Sequence, residues 1–464
     1  MYNPNLHFHF IGIGGSGMSG LAEILLGLGF KVSGSDLRAG EACGRLERLG
    51  AQVFIGHAAE NIPPPCSLVV YSSAVDRGNP EMVEAKRRGL PVIRRAEVLA
   101  ELMRLKYGVA VAGSHGKTST TSMTAAILEK GGLDPTVIIG GVVKTQGSGG
   151  RLGRGAYLVA ETDESDRSFL LLKPTIAVVT NIDAEHLQAY KSMADLERSF
   201  RRFVEAVPFY GLAVLCVDDH KVRDLCAAYR GRKVTYGFSL DAQFRAVDFH
   251  QERGVTAYTV LHKEQPLLRA ALPLPGRHFA LNSLAAIAVG LEFGIAPQTI
   301  ADALNDFAGV ERRLEVEAEV GGVTVINDYG HHPTEIRASL RAIREHWQAG
   351  LRRLHVVFQP HRYSRTRDCF VDFINAFDDA DEVLITEIYP AGEPPLEGVS
   401  GEILSRAIDH PRVRFVGALD QVLPDLAPRL CPGDVVAFMG AGSIGALAAQ
   451  AAALLESRSA AVNA

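Results

Sequence analysis

The sequence has no long hydrophobic run, and nowhere reaches the ~18 consecutive apolar residues that a membrane-spanning helix requires. An integral helical membrane protein is therefore excluded. The opening "MYNPNLHFHF" lacks the basic stretch and apolar core of an export signal, so a cytoplasmic protein is expected. Cysteine is scarce and scattered: Cys43, Cys66, Cys216, Cys226, Cys369 and Cys431 contain no C-x-x-C pair. That argues against a zinc site or a disulfide framework and for thiols in a reducing compartment. An excess of one charge is also missing. The 48 basic and 53 acidic residues leave a net charge of -5, with no field to gather nucleic acid or anionic lipid. Neither is expected as a partner; small or locally steered ligands are, to a monomer or weak homodimer.

What is present suits several cores. The 464 residues are 47% hydrophobic, and the length suggests about three domains. Short β-rich apolar runs alternate with helical patterns, the mark of βαβ units and parallel sheets. The runs are "HFHFIGI", "SLVVYSS", "GVAVAG", "AYLVAE", "TIAVVTN", "LHVVFQ", "DEVLITE" and "DVVAFMG". Ligands of open parallel sheets sit at the carboxyl ends of strands, so function is sought just after each run. Domain boundaries are expected near "AELMRLKYG" and "FAGVERRLEV", and the glycine-rich Lys144–Gly155 stretch reads as a flexible surface loop of the middle domain.

The stretch "VAVAGSHGKTSTTSM" runs from a strand through Gly113, Ser114, His115 and Gly116 to Lys117 and Thr118 at the start of a helix. Backbone N–H groups in such a turn, with the positive end of the helix, form an anion site. The lysine reaches the outer phosphates of a triphosphate and the threonine hydroxyl ligates Mg²⁺. A strict P-loop has a further glycine where Val111 stands, so this is a shortened loop. "YLVAETDESD" adds Glu161, and "TIAVVTNIDAEH" adds Asn181, Asp183 and His186 as further metal-side groups.

Near the N-terminus, "GIGGSG" places Gly12, Gly14 and Gly17 in a G-x-G-x-x-G pattern after a strand, and Asp36 closes the next run. Alone this fingerprint favours an NAD-dependent oxidoreductase, yet it recognises a diphosphate at a helix N-terminus, which any nucleotide diphosphate satisfies. A second copy, Gly440 to Gly445, has no acid-ended strand behind it and reads as tight strand-to-helix packing.

Taken in order, "GIGGSGMSGLAEIL", "GSHGKTSTTSM", "AETDESD", "TNIDAEH", "NDYGHHPTEI" and "FQPHRYSRTRD" closely resemble the bacterial Mur ligase family. The likeness runs from about His7 to Gly445 and is strongest to the members that join L-alanine to the lactyl carboxylate of UDP-N-acetylmuramate. It implies an α/β protein of three domains: a Rossmann-like UDP-sugar domain over 1–106, a central P-loop ATPase domain with a mainly parallel sheet over 107–312, and a Rossmann-like amino-acid domain over 313–464.

The resemblance further implies that Gly14, Gly15, Ser16, Gly17 and Met18, with Asp36, Ser72 and Ser73, hold the UDP-sugar. ATP falls to residues Gly113, Ser114, His115, Gly116, Lys117, Thr118 and Ser119, with Asn282 and Asp328. Lys117, Glu161, His186 and Arg313 form the implied catalytic set, Thr118, Glu161 and His186 serve Mg²⁺, and His331, Arg362 and Arg365 serve the amino acid. Arg362 and Arg365, one helical turn apart, are expected to share a face. His331 reads equally as a guide for the amine or as a capping or packed residue beside Pro333. The family's adenine motif has asparagine where Phe279 stands. Rival readings are the oxidoreductase, a P-loop ATPase with partner-binding ends, and a sister ligase that attaches a preformed peptide.

Overall fold

The computed structural model describes residues 5–72, 75–140, 149–185, 187–252 and 254–463. Among them the strands form three sheets flanked by helices. The first is parallel, with β1 (His7–Ile11), β2 (Lys31–Asp36), β3 (Gln52–Ile55), β4 (Leu68–Tyr71) and β5 (Val92–Arg94) in the order β3-β2-β1-β4-β5. Strand order reverses between β1 and β4, and the crevice beyond their carboxyl ends is where such sheets hold ligands. The glycine loop after β1 lies there.

The second sheet contains β6 (Tyr107–Ala112), β7 (Thr136–Ile138), β8 (Gly150–Arg151), β9 (Tyr157–Glu161), β10 (Ile176–Val179), β11 (Leu212–Cys216), β12 (Lys233–Gly237), β13 (Phe244–Glu252), β14 (Val255–His262) and β15 (Gln265–Leu272). Its order is β15-β14-β13-β12-β11-β10-β6-β9-β7-β8. Strand β6 lies between β9 and β10, parallel to both, and its core "GVAVA" is buried throughout because helices cover both faces. The third sheet contains β16 (Glu315–Val320), β17 (Val323–Asp328), β18 (Arg353–Phe358), β19 (Glu382–Thr386), β20 (Val413–Gly417) and β21 (Asp434–Met439), ordered β16-β17-β21-β18-β19-β20. Only the β16–β17 pair is antiparallel. Every apolar run singled out in the sequence forms a strand.

The chain divides into two compact units. The first holds residues 1–249, 258–271 and 279–310, hence the first sheet and most of the second; the other holds 250–257, 272–278 and 311–464. Within the first unit one hydrophobic cluster runs unbroken from Phe8, Phe10 and Leu21 to Ala110, Leu158 and Phe200. The two sheets of this unit therefore share a core.

The glycine-rich stretch read as a flexible loop is only partly described, because 141–148 lie outside the described residues. Its remainder is fixed. Gly150 and Arg151 pair antiparallel with β7, and the Lys106 ammonium donates to the carbonyls of Gly153 at 2.9 Å and Gly155 at 2.6 Å. A Cβ on Gly20, in the helix Ser16–Gly27, would lie 2.9 Å from the backbone of Gly149 and Gly150. Glycines here permit backbone-to-backbone contact rather than mobility. All six cysteines are free thiols, and no described helix is long and apolar enough to cross a membrane.

Candidate active site

The loop between β6 and the helix Lys117–Lys130 is fastened to the carboxyl end of β10. Asn181 accepts the His115 N–H at 2.8 Å through Oδ1 and donates to the His115 carbonyl at 3.0 Å through Nδ2. Thr180 Oγ1 donates to the same carbonyl at 2.7 Å, the Asp183 N–H donates to Ser114 Oγ at 2.8 Å, and the Asp183 carboxylate lies 3.0 Å from His115 Nε2. Asn181 and Asp183, expected on the metal side, instead pin the loop. Gly113 and Gly116 have φ of +141° and +79°, a region that favours glycine. A Cβ on Gly116 would come within 2.5 Å of Asn282 Oδ1, so Asn282, from the helix Arg277–Glu292, packs onto the loop. The neighbouring Phe279 is buried in the core and offers the loop no polar group.

Lys117 begins the helix with its ammonium folded back. Nζ donates to the carbonyls of Gly113 at 2.6 Å and Ser114 at 3.0 Å and to Glu164 Oε1 at 2.8 Å. Burial opposes the charge, but the carboxylates of Glu164, Glu161 and Glu185 hold the ammonium protonated above the ordinary lysine range. One cation cannot neutralise so many buried acids. Glu164 bears the surplus, and burial pushes its carboxyl up to about 7. Glu164 was not picked out from sequence; its only signal there is its place in "ETDESD".

The Thr118 hydroxyl donates to both oxygens of Glu161, at 3.0 and 2.9 Å, and the Gly140 N–H donates to Oε2 at 2.8 Å. A hydroxyl and a carboxylate converging in this way form a hard oxygen donor set that fits Mg²⁺. His186, the third expected ligand, lies outside the described residues, as does Ser73 of the sugar site; the same holds for the side chain of Ser16. Ser119 is buried in the first turn. The later hydroxyls serve the helix itself: Thr121 and Thr124 donate to the carbonyls of Lys117 and Thr120, which lets a threonine-rich helix lie buried.

At the glycine loop after β1, Asp36 Oδ2 accepts the Gly14 N–H at 2.9 Å. Asp36, expected at the sugar site, braces the loop through this bond. In the first turn of the following helix the N–H groups of Met18 and Ser19 return to the Gly15 carbonyl at 2.9 and 2.8 Å, which leaves those of Ser16 and Gly17 for an anion. Met18 is buried in the core, and its N–H is given to Gly15. Ser72 follows β4 directly, beside the end of β1. Arg95 lies against this loop: a Cβ on Gly17 would approach its Nη1 to 2.5 Å, and its Nη2 is 3.5 Å from Asp163 Oδ2.

The second unit gathers its own cluster. Arg312 and Arg313 lie over the Tyr329 ring, 5.0 and 5.1 Å from its centroid. Asp328 is buried, accepting the N–H groups of Leu314 at 2.8 Å and Gly330 at 2.7 Å, and burial pushes its carboxyl up. The cap of the helix Pro333–Trp347 is His332, which accepts the Thr334 N–H, so His331 does not cap. Its ring stands 5.4 Å from that of Tyr329 and 5.8 Å from that of His361. Arg365 Nη1 bonds His361 Nδ1 at 2.9 Å. Burial, then the neighbouring His331 and Arg365, push the imidazole of His361 down to about 3, so it stays neutral and accepts from the guanidinium. Sequence reasoning passed over His361. Nor do the paired arginines sit on one helical turn: Arg362 is the cap before the helix Tyr363–Asp368, at φ +70°, and only Arg365 is helical.

The second glycine loop, after β21, is filled. Arg312 Nη2 donates to the carbonyls of Gly440 at 2.6 Å and Gly442 at 3.2 Å, and the Ile444 N–H donates to Gln359 Oε1 at 3.1 Å. The packing reading of this motif accords with that geometry.

Comparison with known proteins matches three family models in sequence order: the Mur ligase family catalytic domain at residues 7–107, the Mur ligase middle domain at 111–290, and the Mur ligase glutamate ligase domain at 312–442. The chain is 51% identical to the UDP-N-acetylmuramate--L-alanine ligase of Geobacter sp. (strain M21), with 96% of each covered. Among solved structures, UDP-N-acetylmuramate-alanine ligase from Thermotoga maritima is similar with a TM-score of 0.83 at 28% identity, over 98% of this chain and 100% of that one. A murein peptide ligase from Psychrobacter arcticus shares the fold, with a TM-score of 0.71 at 24% identity over 97% and 98%. With all three models in order along one chain, and half-identical relatives over nearly its whole length, the protein belongs to the Mur ligase family.

Proposed function

We infer that the chain is an ATP-dependent ligase that joins L-alanine to the lactyl carboxylate of UDP-N-acetylmuramate, forming ADP and phosphate, in peptidoglycan precursor synthesis. The observation that carries this reading is the 51% identity, over 96% of the chain, to a ligase of that name. The division at 106/107 and 312/313 gives one domain to each reactant: sugar nucleotide, ATP, amino acid. ATP and UDP-sugars are cytoplasmic metabolites, which places the reaction there, in a monomer or weak homodimer.

A carboxylate is a poor electrophile. Transfer of the γ-phosphoryl group of ATP to a carboxylate oxygen releases ADP and gives an acyl phosphate. The neutral amine of alanine then attacks the acyl carbon; the tetrahedral intermediate collapses with loss of phosphate, leaving the amide. The first obstacle is repulsion between two anions, and phosphoryl transfer depends mainly on positioning and opposing charge. Lys117 and Arg313 supply cations, and N–H groups of the loop and first helical turn cradle the phosphates, those of Ser114 and His115 excepted because Asn181 takes them. Thr118, Glu161 and His186 would hold Mg²⁺, which when bound neutralises phosphate charge. Arg362, Arg365 and His331 receive the amino acid, Arg365 being held ready by His361. Acyl phosphates hydrolyse in water, so the reactants must be enclosed during turnover.

The test is to supply ATP, Mg²⁺, UDP-N-acetylmuramate and each small amino acid or a preformed stem tripeptide, and to follow ADP together with the conjugate. ADP alongside an alanyl conjugate is expected. A product only with the tripeptide would make the chain a sister ligase, and no ADP with any acceptor would sink the reading.

A further inference from the structure

We propose that Glu164 is a positioning residue that holds the Lys117 ammonium on its own loop until a bound triphosphate takes its place. The inference rests on Lys117 serving the ATP phosphates. An ammonium has three N–H donors, and here all three are spent, on Gly113 O, Ser114 O and Glu164 Oε1. To face a phosphate, Lys117 must surrender one of them. The two carbonyls belong to the loop that cradles the phosphates and move with it. Glu164 comes from a separate segment, and its negative charge is the one partner that a phosphate oxygen can replace like for like.

Glu164 cannot follow the lysine. Its backbone carbonyl accepts the Tyr190 hydroxyl at 2.5 Å and the Arg167 N–H at 3.1 Å, and the Arg167 guanidinium lies 4.5 Å over the Tyr190 ring. The side chain is only 3% exposed, and Oε2 has no hydrogen-bond partner among the described residues. The carboxylate is thus held by half its capacity and depends on Lys117 for the rest. Losing that partner is unfavourable for a buried carboxylate, so nucleotide binding proceeds against it. An empty loop therefore presents no bare cation to stray anions, and only a ligand with several phosphates makes enough contacts to draw Lys117 away.

The experiment is a double-mutant cycle on binding of the magnesium complex of a non-hydrolysable ATP analogue, read by calorimetry, in the full chain and in Glu164→Gln, Lys117→Met and the double variant. With Lys117 present, Glu164→Gln should tighten binding about tenfold; with Lys117→Met in place the same change should do nothing, because the coupling runs through the ammonium. UDP-N-acetylmuramate affinity should be unaltered, which also reports that the variant is folded, and Glu164→Ala should repeat the result if Gln disturbs packing. Unchanged or weaker binding in Glu164→Gln overturns the proposal, as does equal tightening in both backgrounds, which would mark a diffuse field effect. If Lys117→Met alone leaves binding intact, the assignment of the nucleotide loop itself fails, and the inference falls with it.

Discussion

Arg365, proposed above to receive the amino acid, is held by a neighbouring histidine. Its guanidinium is anchored by the neutral imidazole of His361, Nη1 lying 2.9 Å from Nδ1, and a guanidinium fork suits a carboxylate. Replacing it with alanine should raise the KM for alanine by about tenfold to a hundredfold while leaving the KM for ATP within twofold. Initial rates at varied alanine check this, and an unchanged alanine dependence would contradict it. The residue types were legible in sequence because Glu161 ends a strand and Lys117 and Thr118 open the helix that follows one, on the rim where parallel sheets present ligands. Asp36, Asn181 and Asp183 sit in similar places yet are turned to bracing the loops. Sequence position alone does not say which way a carboxylate points. Glu164 and His361 escaped notice because their importance lies in what they touch.

At the scale of elements, the strand-turn-helix around Gly116 joins backbone geometry to binding. Alanine there meets two obstacles, a φ of +79° and the Asn282 amide 2.5 Å away. Gly116→Ala should weaken ATP binding about tenfold or more and leave UDP-sugar binding alone; nucleotide titration of the variant decides it. In the third sheet, Glu382 on β19 accepts from His355 at 2.8 Å and Arg429 at 2.6 Å, which hold its carboxyl down to about 2. Its folded value lies below the ordinary carboxylate range, so its contribution is present above about pH 4.5 and drains away as the pH falls towards 2. Glu382→Gln should therefore destabilise by about 1–3 kcal/mol at pH 7 and by much less at pH 3. Denaturant unfolding at both values is the measurement, and an equal gap would refute the account. Strands were read well because buried parallel strands are continuous apolar runs. The cap at Arg362 and the paired Gly150 were not, because left-handed backbone at an arginine and backbone-to-backbone packing leave little trace in residue pattern.

For the molecule as a whole, the close approach of Gly20 to Gly150 fastens the helix of the first glycine loop to the edge of the second sheet. Gly20→Val would force that contact apart, costing about 1–3 kcal/mol and lowering the thermal midpoint by several degrees. Turnover should fall by a larger factor than either nucleotide's affinity, because each loop stays intact while their spacing changes. A variant with normal melting and normal turnover would show the contact to be idle.

Arg95, wedged between Gly17 and Asp163, extends the same bond between the two loops. If the two glycine loops hold the two phosphate chains as proposed, both anchorages lie in one compact unit with a shared core. The sugar and its lactyl arm then act as a gauge: an analogue one bond too short or too long would still dock at the diphosphate end yet stop short of, or overshoot, the phosphoryl group. Selectivity of this kind falls on the rate of the bound complex, so the wrong sugar acid would behave as a silent competitor rather than as a poor binder.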